Sequence, residues 1–492
     1  MKRLLHIQPL LILALFILLA GCATRPVNLP ITETDPSKGY RFATRAEKEK
    51  QTEKEKENLV ILAFSGGGTR AAAFSYGVLE FLRDTEVVGP NGEKLRLLDQ
   101  VDIITGVSGG SFTALAYGLY SDKLFDEYEQ RFLKRNVQGE IVSRTFNPAN
   151  WGKLWSTGWG RSELAAELYD EILFDGATFG DLDRGDGPLI ITSATDISTG
   201  SRFIFGQRIF DIICSDLNSV PLSRAAAASS AVPVVLSPVT INNYGGTCNA
   251  ITPEWIKPFL DSTSPPRPAA RAIRSIKAEH AYGDGIHRPY LHLVDGGISD
   301  NLAMRAGLDG LEVLEALQLA GLPSPLAHVR RVIVIVVNSL SLPPTDWDES
   351  EDPPSTSEIL LKASGTPIDA FSFETTELLR DTAHRWRTLR TIRESPAYRD
   401  VKNPAVEAAL RVPQAEIYAI DVSFPQLKDK AERDYLNQQP TSFVLPPEAV
   451  DRLRAAAGTI MKSSPEFQRL LNDMDAKIVA EPPAAEGPAT TL

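Results

Sequence analysis

Two glycine-rich turns, each between an apolar run and a helical pattern, constrain the fold of this chain most strongly. The first reads SGGGTR at residues 65–70 and follows the apolar run 58–64. The second reads GVSGG at residues 106–110 and follows the β-branched run 97–105. The first run is long enough to be buried on both faces, as in a parallel sheet. The sequence therefore predicts two consecutive strand–turn–helix units of an α/β protein.

The second turn fits G-x-S-x-G, in which a sharp strand-to-helix turn exposes a serine hydroxyl for attack on an acyl carbon. This places Ser108 as a candidate nucleophile. The backbone N–H groups of Gly66, Gly67 and Gly68 are candidate donors to the negative oxygen that such an attack creates. The helix that begins after Ser108 adds free N–H groups and a partial positive charge. Together these features predict acyl transfer.

A dinucleotide-binding site is the alternative, because Gly66, Gly68 and Ala71 also fit G-x-G-x-x-G/A. That fingerprint requires an acidic residue about twenty positions later, at the end of a second strand. Glu86 has nearly this spacing but lies in a stretch that is typical of a loop. The nucleotide interpretation also leaves Ser108 unexplained, so acyl transfer is favoured.

A nucleophilic serine needs a base, and Asp295 is the better candidate. It follows the strand 290–294 and precedes Gly296-Gly297, at the carboxyl end of a strand where open α/β sheets bind ligands. His328 stands at the beginning of a predicted strand, the wrong end for such a site. His384 lies on the polar face of a predicted helix. We therefore expect both histidines to be ordinary surface or partly buried residues.

The order strand–GGGxR–helix, strand–GxSGGS–helix and strand–DGG resembles the patatin-like phospholipase family. A fourth block, residues 226–238, matches as well. The resemblance covers residues 58–338 closely and continues to about residue 471. It implies a three-layer α/β/α sandwich with a mainly parallel central sheet and the nucleophile on a strand-to-helix elbow.

The resemblance also implies roles for single residues. Ser108 is the expected nucleophile, and Asp295 its partner in a dyad without histidine. One departure is Ala71, where many members have glycine; we expect this methyl group to change packing more than chemistry. The remaining residues implied are the oxyanion-hole glycines Gly66, Gly67 and Gly68, the basic residue Arg70, and the supporting turn residues Gly106, Gly109, Gly110, Gly296 and Gly297.

Other polar residues receive structural or minor roles. Asp102 is expected to be a hydrogen-bonded structural carboxylate, Asp196 a residue that shapes the pocket, and Asp300-Asn301 a helix cap. Neither a cofactor nor a metal site is expected, because the six histidines are scattered and the three cysteines lie far apart. Cys214 and Cys248 could pair in an oxidising compartment, which spacing alone leaves open.

The amino terminus predicts a membrane location. Lys2-Arg3, an apolar run centred on residues 10–20 and the sequence LAGC resemble a bacterial lipoprotein signal with lipid on Cys22. The expected site is the cell envelope, and Ala23 favours the outer membrane if the source is Gram-negative. The predicted domains are a signal peptide 1–21, a charged tether 22–57, a catalytic domain 58–475 with core 58–340 and C-terminal elements 341–475, and a disordered tail 476–492.

Net charge excludes some classes of binding partner. A net charge of −12 argues against nucleic acid and against a generally cationic membrane-binding surface. The resemblance implies a lipid substrate, and the lipoprotein signal implies an anchoring membrane; no protein partner is indicated. The tryptophan-rich insert 146–161 could lie at a lipid interface or line an acyl groove, but core packing is the expectation.

Three functional classes follow. A serine hydrolase acting on esters of phospholipids, lysophospholipids or related lipids is favoured. A transacylase would use the same dyad to pass the acyl group to an acceptor other than water. A non-catalytic envelope lipoprotein would have kept the fold alone, and the intact Ser108 and Asp295 argue against it.

Overall fold

A mixed sheet forms the centre of the protein. The computed structural model describes residues 25–42, 44, 57–89, 92–156, 158–184, 187–252, 260, 270–319, 327–341, 347–398 and 403–480. The strands are β1 Asn58–Phe64, β2 Glu86–Val88, β3 Lys94–Arg96, β4 Ile103–Val107, β5 Leu189–Asp196, β6 Ser201–Phe205, β7 Val239–Asn242, β8 Tyr290–Val294, β9 Arg331–Asn338, β10 Glu416–Ser423 and β11 Lys477–Ala480. The strand order of the main sheet is β10-β9-β1-β4-β5-β8-β7, and β6 pairs with β5 as well.

The helices surround this sheet. In the described residues they are α1 Gly68–Asp84, α2 Gly109–Tyr120, α3 Leu124–Tyr128, α4 Val137–Phe146, α5 Trp151–Leu154, α6 Arg161–Tyr169, α7 Phe179–Leu182, α8 Gln207–Ile212, α9 Leu222–Ser229, α10 Ala270–His280, α11 Gly297–Asp300, α12 Arg305–Leu319, α13 Thr356–Glu394, α14 Pro404–Ala409, α15 Lys430–Asn437, α16 Pro447–Ser463 and α17 Pro465–Asp473. Both predicted strand–turn–helix units are present, as β1–α1 and β4–α2. The first part of the run 97–105 is a 3₁₀ turn, Leu97–Gln100, and the strand begins only at Ile103.

Helices cover both faces of the parallel strands, because alternate residues of a strand point to opposite sides. In β1, Leu62 and Phe64 pack into the larger apolar core, which includes residues of α1, α2 and α16. Leu59 and Ala63 pack into the other core, with residues of α12 and α13. The predicted three-layer sandwich with a mainly parallel central sheet is confirmed.

The sheet changes direction at β5. Strand β4 runs parallel to β5 and pairs with residues 189–193, whereas β8 runs antiparallel and pairs with Thr195 and Asp196. Since β6 pairs with residues 192–196 from the opposite edge, β4 and β8 share one edge of β5. The carboxyl ends of β4 and β8 therefore meet along that edge. The sequence predicts a site at the carboxyl ends of parallel strands, but β8 is antiparallel.

The residues assigned from the sequence to a tether are partly folded against the domain. Arg25 donates to the carbonyl of Thr240 at 3.0 Å, and Ile31 donates to the carbonyl of Cys214 at 2.9 Å. Tyr40 is buried, and its hydroxyl accepts a hydrogen bond from the backbone of Ile190. The prediction of a tether is thus wrong for residues 25–42, whose polar and aromatic side chains find partners on the domain. The charged run 47–56 lies outside the described residues.

Two further features close the fold. Cys214 and Cys248, 34 residues apart, form a buried disulfide. Strand β11 pairs with β2 in a small sheet of order β11-β2-β3, so the folded chain extends to Ala480 rather than to the predicted boundary at residue 475. Residues 481–492 lie outside the described residues. No helix in the described part of the chain has the length and apolar character that a membrane span requires.

Candidate active site

Ser108 stands on a strained turn between β4 and α2. Its backbone has φ 47° and ψ −121°, a combination that residues with a side chain rarely adopt. The flanking glycines permit the turn. A Cβ atom on Gly106 would lie 2.8 Å from the carbonyl oxygen of Gly110, and a Cβ atom on Gly110 would lie 2.6 Å from the carbonyl oxygen of Phe64. Gly109 packs against the backbone of Gly68 in the same way. The two glycine-rich turns are therefore in direct backbone contact.

The hydroxyl of Ser108 meets the carboxylate of Asp295. Ser108 Oγ donates to Asp295 Oδ2 at 3.0 Å, although 187 residues separate the two in the chain. The backbone N–H of Gly297 donates to the other oxygen, Oδ1, at 2.7 Å. Ser108 is 5% exposed and Asp295 9%. The structure thus brings the predicted pair together in a buried site.

Glycines 296 and 297 allow this carboxylate to be approached closely. A Cβ atom on Gly296 would collide with the carbonyl oxygen of Ser193 in β5. A Cβ atom on Gly297 would lie 3.0 Å from Asp295 Oδ1, the oxygen that its own N–H binds. Backbone packing at the end of β8 therefore requires glycine at position 296, and a side chain at position 297 would crowd the carboxylate.

Burial controls the protonation of Asp295. Desolvation raises its pKa to about 6, against the opposing effects of the Gly297 N–H and the Ser108 hydroxyl, both of which stabilise the carboxylate. The group remains ionised above this pKa. It is a stronger base than an exposed aspartate. A strong base is needed here, because Asp295 takes the place of a histidine as the acceptor of the Ser108 proton.

Ser229 holds both partners in place and was missed by the sequence analysis. The Ser108 N–H donates to Ser229 Oγ at 2.8 Å, and this hydroxyl donates to the Ser193 carbonyl at 2.7 Å. The Ser229 carbonyl accepts the N–H of Gly296 at 3.0 Å, and that of Ala231 accepts the N–H of Asp295 at 3.0 Å. The only signal in the sequence was the small-residue block 226–238, which does not distinguish Ser229 from its neighbours.

The three predicted oxyanion-hole glycines are not equivalent. Gly66 already donates its N–H to the Asn301 carbonyl at 2.9 Å, so the prediction is wrong for this residue as a free donor. Among the described residues, no acceptor reaches the N–H groups of Gly67, Gly68 or Gly109. A Cβ atom on Gly109 would lie 2.8 Å from the nitrogen of Gly68, so these donors are close together. They lie at the N-termini of α1 and α2, which favour negative charge.

Arg70 links the first glycine-rich turn to two neighbouring segments. It is buried, and it donates to the carbonyls of Ser339 and Gln439, each at 2.7 Å, and to Thr441 Oγ1 at 3.1 Å. Burial lowers its pKa to about 10, so it remains a cation at neutral pH. These contacts join the turn to the end of β9 and to the segment before α16. The structure shows no hydrogen bond between Arg70 and Ser108 in the part of the chain that it describes.

Several alternatives from the sequence lie away from Ser108. In the described ranges no histidine forms a hydrogen bond with Ser108 or Asp295; His328 precedes β9 and His384 lies in α13. Glu86 belongs to the small sheet, opposite Arg96, and not to the end of a second parallel strand. The dinucleotide interpretation therefore lacks its acidic residue.

The other acidic residues are structural. Asp102 accepts the N–H of Val60 at 2.8 Å, and Asp300 accepts those of Met304 and Arg305 at the start of α12, as expected of a cap. Asp196 caps the β5–β6 turn through Thr199 Oγ1 at 2.8 Å. Cys22 lies outside the described residues.

A comparison with models of known protein families gives one match. The model of the patatin-like phospholipase family matches residues 62–307, half of the 492-residue chain. A comparison with curated protein sequences gives no match.

Solved structures resemble the chain distantly. Human GIVD cytosolic phospholipase A2 is 12% identical, with 92% of this chain and 66% of that chain covered and a TM-score of 0.44. The structure of its complex with methyl γ-linolenyl fluorophosphonate is 13% identical, with 88% of this chain and 62% of that chain covered and a TM-score of 0.40. VipD from Legionella pneumophila is 12% identical, with 94% and 74% covered and a TM-score of 0.29. The chain thus spans slightly less than two thirds of the length of the human protein, and TM-scores this low carry no functional argument.

Proposed function

Because this chain belongs to the patatin-like phospholipase family, we propose that it is a serine lipid acyl hydrolase. Its substrates are carboxylic esters of phospholipids, lysophospholipids or related lipids, and its catalytic pair is Ser108 and Asp295. The observation that carries the proposal is the 3.0 Å hydrogen bond from Ser108 Oγ to Asp295 Oδ2 on a strained turn, beside backbone N–H groups that have no acceptor among the described residues.

The reaction begins with attack of Ser108 Oγ on the ester carbonyl. The proton of the hydroxyl moves to Asp295 Oδ2 as the carbon–oxygen bond forms. The carbonyl oxygen becomes negative and accepts hydrogen bonds from the N–H groups of Gly67, Gly68 and Gly109. Each such donor contributes roughly 3–4 kcal/mol to the stability of the transition state. The tetrahedral intermediate then expels the alcohol, which takes the proton from Asp295.

Water completes the cycle. The Asp295 carboxylate accepts a proton from a water molecule that attacks the Ser108 acyl ester, and the same N–H groups stabilise the second tetrahedral intermediate. Its collapse returns the proton to Ser108 Oγ and releases the fatty acid. The N–H of Gly297 remains on Asp295 Oδ1 throughout, which leaves Oδ2 as the oxygen for proton transfer.

Product analysis tests this function. Purified wild-type protein and Ser108→Ala are each incubated with a defined phospholipid mixture, and the products are identified by mass spectrometry. We expect free fatty acid from the wild type and none from Ser108→Ala. Ser230→Ala is the matched control, because Ser230 is buried next to Ser229 and its hydroxyl donates to the carbonyl of Ala226, with no hydrogen bond to Ser108 or Asp295 among the described residues. Hydrolysis by Ser108→Ala would contradict the assignment.

The same experiment separates the alternatives. A new acyl ester in place of free fatty acid would identify a transacylase, since the acyl-enzyme is common to both reactions. A fluorophosphonate probe that fails to label Ser108 would favour a non-catalytic envelope protein.

We propose further that lipid on Cys22 anchors the protein in a bacterial envelope, in the outer membrane if the source is Gram-negative. The signal sequence before Cys22 supports this, and the Cys214–Cys248 disulfide is typical of an oxidising compartment. Inhibition of lipoprotein signal peptidase should leave the precursor uncleaved. Normal processing under inhibition would contradict the anchor.

A further inference from the structure

The tryptophan-rich insert is exposed where core packing was expected. Trp155 is 83% exposed and Phe146 72%, and Trp151 is nearly half exposed. Of the three tryptophans in the described part of this insert, Trp159 alone is buried. The rings of Trp151 and Trp155 lie side by side, with centroids 6.1 Å apart, on and just after the short helix α5. The prediction of core packing is therefore wrong for Trp151 and Trp155, because α5 presents both rings to solvent.

A second exposed apolar segment follows the site directly. The carbonyl of Ala231 binds the N–H of Asp295, and three residues later Val234 is 83% exposed, followed by the exposed Val235. Val234 has φ 73°, which is unfavourable for a β-branched residue. Arg161 holds it there by donating to its carbonyl at 2.9 Å. A strained backbone thus keeps an aliphatic side chain in water, next to the site.

The two segments are joined. Besides the contact of Arg161 with Val234, Ser162 Oγ donates to the carbonyl of Ser237, so the chain after the tryptophans packs on the chain after Ala231. We name Phe146, Trp151, Trp155, Val234 and Val235 the apolar rim. Soluble proteins rarely expose apolar groups in such concentration unless the surface binds a partner or a membrane.

Arg25, the first of the described residues, contacts the chain close to this rim. Arg25 lies against Gly158, where an added Cβ atom would be 2.6 Å from Arg25 Cδ, and Gly158 is three residues after Trp155. Cys22 precedes Arg25 by three residues, which span at most about 10 Å. A lipid anchor on Cys22, as proposed above, would therefore be tethered within reach of the rim.

Two of the cations near the tryptophans are paired with carboxylates. Arg144 pairs with Glu171, and Lys153 pairs with Glu167 at 2.7 Å. This pairing limits the attraction of the two cations to anionic headgroups, whereas tryptophan is suited to the boundary between headgroups and acyl chains.

We propose that the apolar rim inserts into the boundary between headgroups and acyl chains of a phospholipid bilayer, and that this insertion places the Ser108 site against the lipid surface. The purpose of the insertion, which is to bring lipid to Ser108, rests on the proposed function. The insertion itself depends on apolar side chains and is insensitive to salt.

The test uses the full-length protein carrying Ser108→Ala, so that lipid is not consumed. The protein is reconstituted into phosphatidylcholine vesicles whose acyl chains carry bromine, a quencher of tryptophan fluorescence, at a shallow or a deep position. We expect quenching, stronger from the shallow bromine and unchanged by added salt. Additional replacement of Trp151 and Trp155 by Phe should abolish most of it, whereas Trp347→Phe should leave it unchanged.

A second pair of variants keeps both reporters in place. Phe146→Ser combined with Val235→Ser should weaken the quenching of Trp151 and Trp155, whereas Val479→Ser should not. Val479 is a matched control, because it is exposed in β11, in the small sheet whose strand β3 leads into the start of β4, away from Ser108.

Three results would overturn the proposal: no quenching in the parent protein, quenching that persists after Trp151 and Trp155 are replaced, or quenching that added salt abolishes. The first is also expected if a second copy of the chain covers the rim. None of these readouts uses hydrolysis, so a protein that docks but releases no fatty acid would contradict the proposed function and leave this inference standing.

Discussion

Ser108 and Asp295 follow strands that run in opposite directions and meet end to end along one edge of β5. Strand β4 approaches this point in parallel with β5, and β8 approaches it antiparallel. The 3.0 Å hydrogen bond between their side chains is therefore fixed by the pairing of both strands to one neighbour. Ser229 then holds the backbone at Ser108 and at Gly296. Such a pair needs no flexible loop to assemble it.

The rate of hydrolysis should depend on the protonation of Asp295. Its pKa is raised to about 6 by burial, and only the carboxylate can accept the proton of Ser108. We expect kcat/KM for a soluble short-chain ester to rise with pH to a midpoint near about 6 and to stay level above it. A pH–rate profile of the wild type measures this. A midpoint near 4, the value for an exposed aspartate, would contradict a buried base.

The same burial should destabilise the folded protein at neutral pH. Since the pKa of Asp295 is higher in the folded chain than its ordinary value of 3.8, the folded state holds this proton more tightly. Stability is therefore lost as pH rises from about 4 through about 6. We expect Asp295→Asn to raise the free energy of unfolding at pH 8 by on the order of 1–3 kcal/mol, and to change it little at pH 4. Urea titrations at both pH values check this, and an equal effect at the two would refute it.

Removal of the Ser229 hydroxyl should weaken both stability and catalysis. Ser229→Ala leaves the buried N–H of Ser108 without its acceptor. This should lower the free energy of unfolding by about 1–3 kcal/mol. The substitution also frees the strained turn, so we expect kcat to fall by about one to two orders of magnitude. Ser230→Ala is the comparison, because Ser230 is equally buried but its hydroxyl makes no hydrogen bond with Ser108 or Asp295 in the described part of the chain. Similar kinetics in the two variants would show that Ser229 does not position the nucleophile.

A methyl group at Gly110 should be far more damaging than one at Gly310. At Gly110 it would lie 2.6 Å from the carbonyl oxygens of Phe64 and Ser65, so the two glycine-rich turns must separate. We expect Gly110→Ala to lower the melting temperature and to abolish hydrolysis. At Gly310, inside α12, an added Cβ atom meets nothing within 4 Å, and alanine should stabilise the helix by up to about 1 kcal/mol. Thermal unfolding of both variants decides the matter; a stable, active Gly110→Ala would show that the turns need not touch.

Reduction of the disulfide should lower stability. Cys214 and Cys248 are buried and 34 residues apart, so their bond restricts the unfolded chain and contributes about 4 kcal/mol. We expect unfolding in urea to shift to lower denaturant in the presence of a thiol reductant. The double variant Cys214→Ser/Cys248→Ser should be insensitive to the reductant. Identical transitions with and without reductant in the wild type would contradict the bond.

Local pattern was enough for part of the site. The apolar run before Gly66 and the sharp G-x-S-x-G turn predicted β1–α1, β4–α2 and the exposure of a serine between strand and helix, because these depend on residues close in the chain. Asp295 was also found, by its place at the end of a strand. Its position was predicted for a parallel strand, whereas β8 reaches the site antiparallel to β4.

The sequence by itself determined the fold class, the two glycine-rich turns and the candidate pair Ser108 and Asp295. Only the tertiary structure decided that Gly66 donates its N–H to the Asn301 carbonyl, that Ser229 accepts the N–H of Ser108, and that residues 25–42 pack on the domain. It also decided that Trp155 faces solvent. The physical reason is that strand direction, hydrogen-bond partners and burial are set by contacts between distant residues, which the spacing of residue types within one segment does not encode.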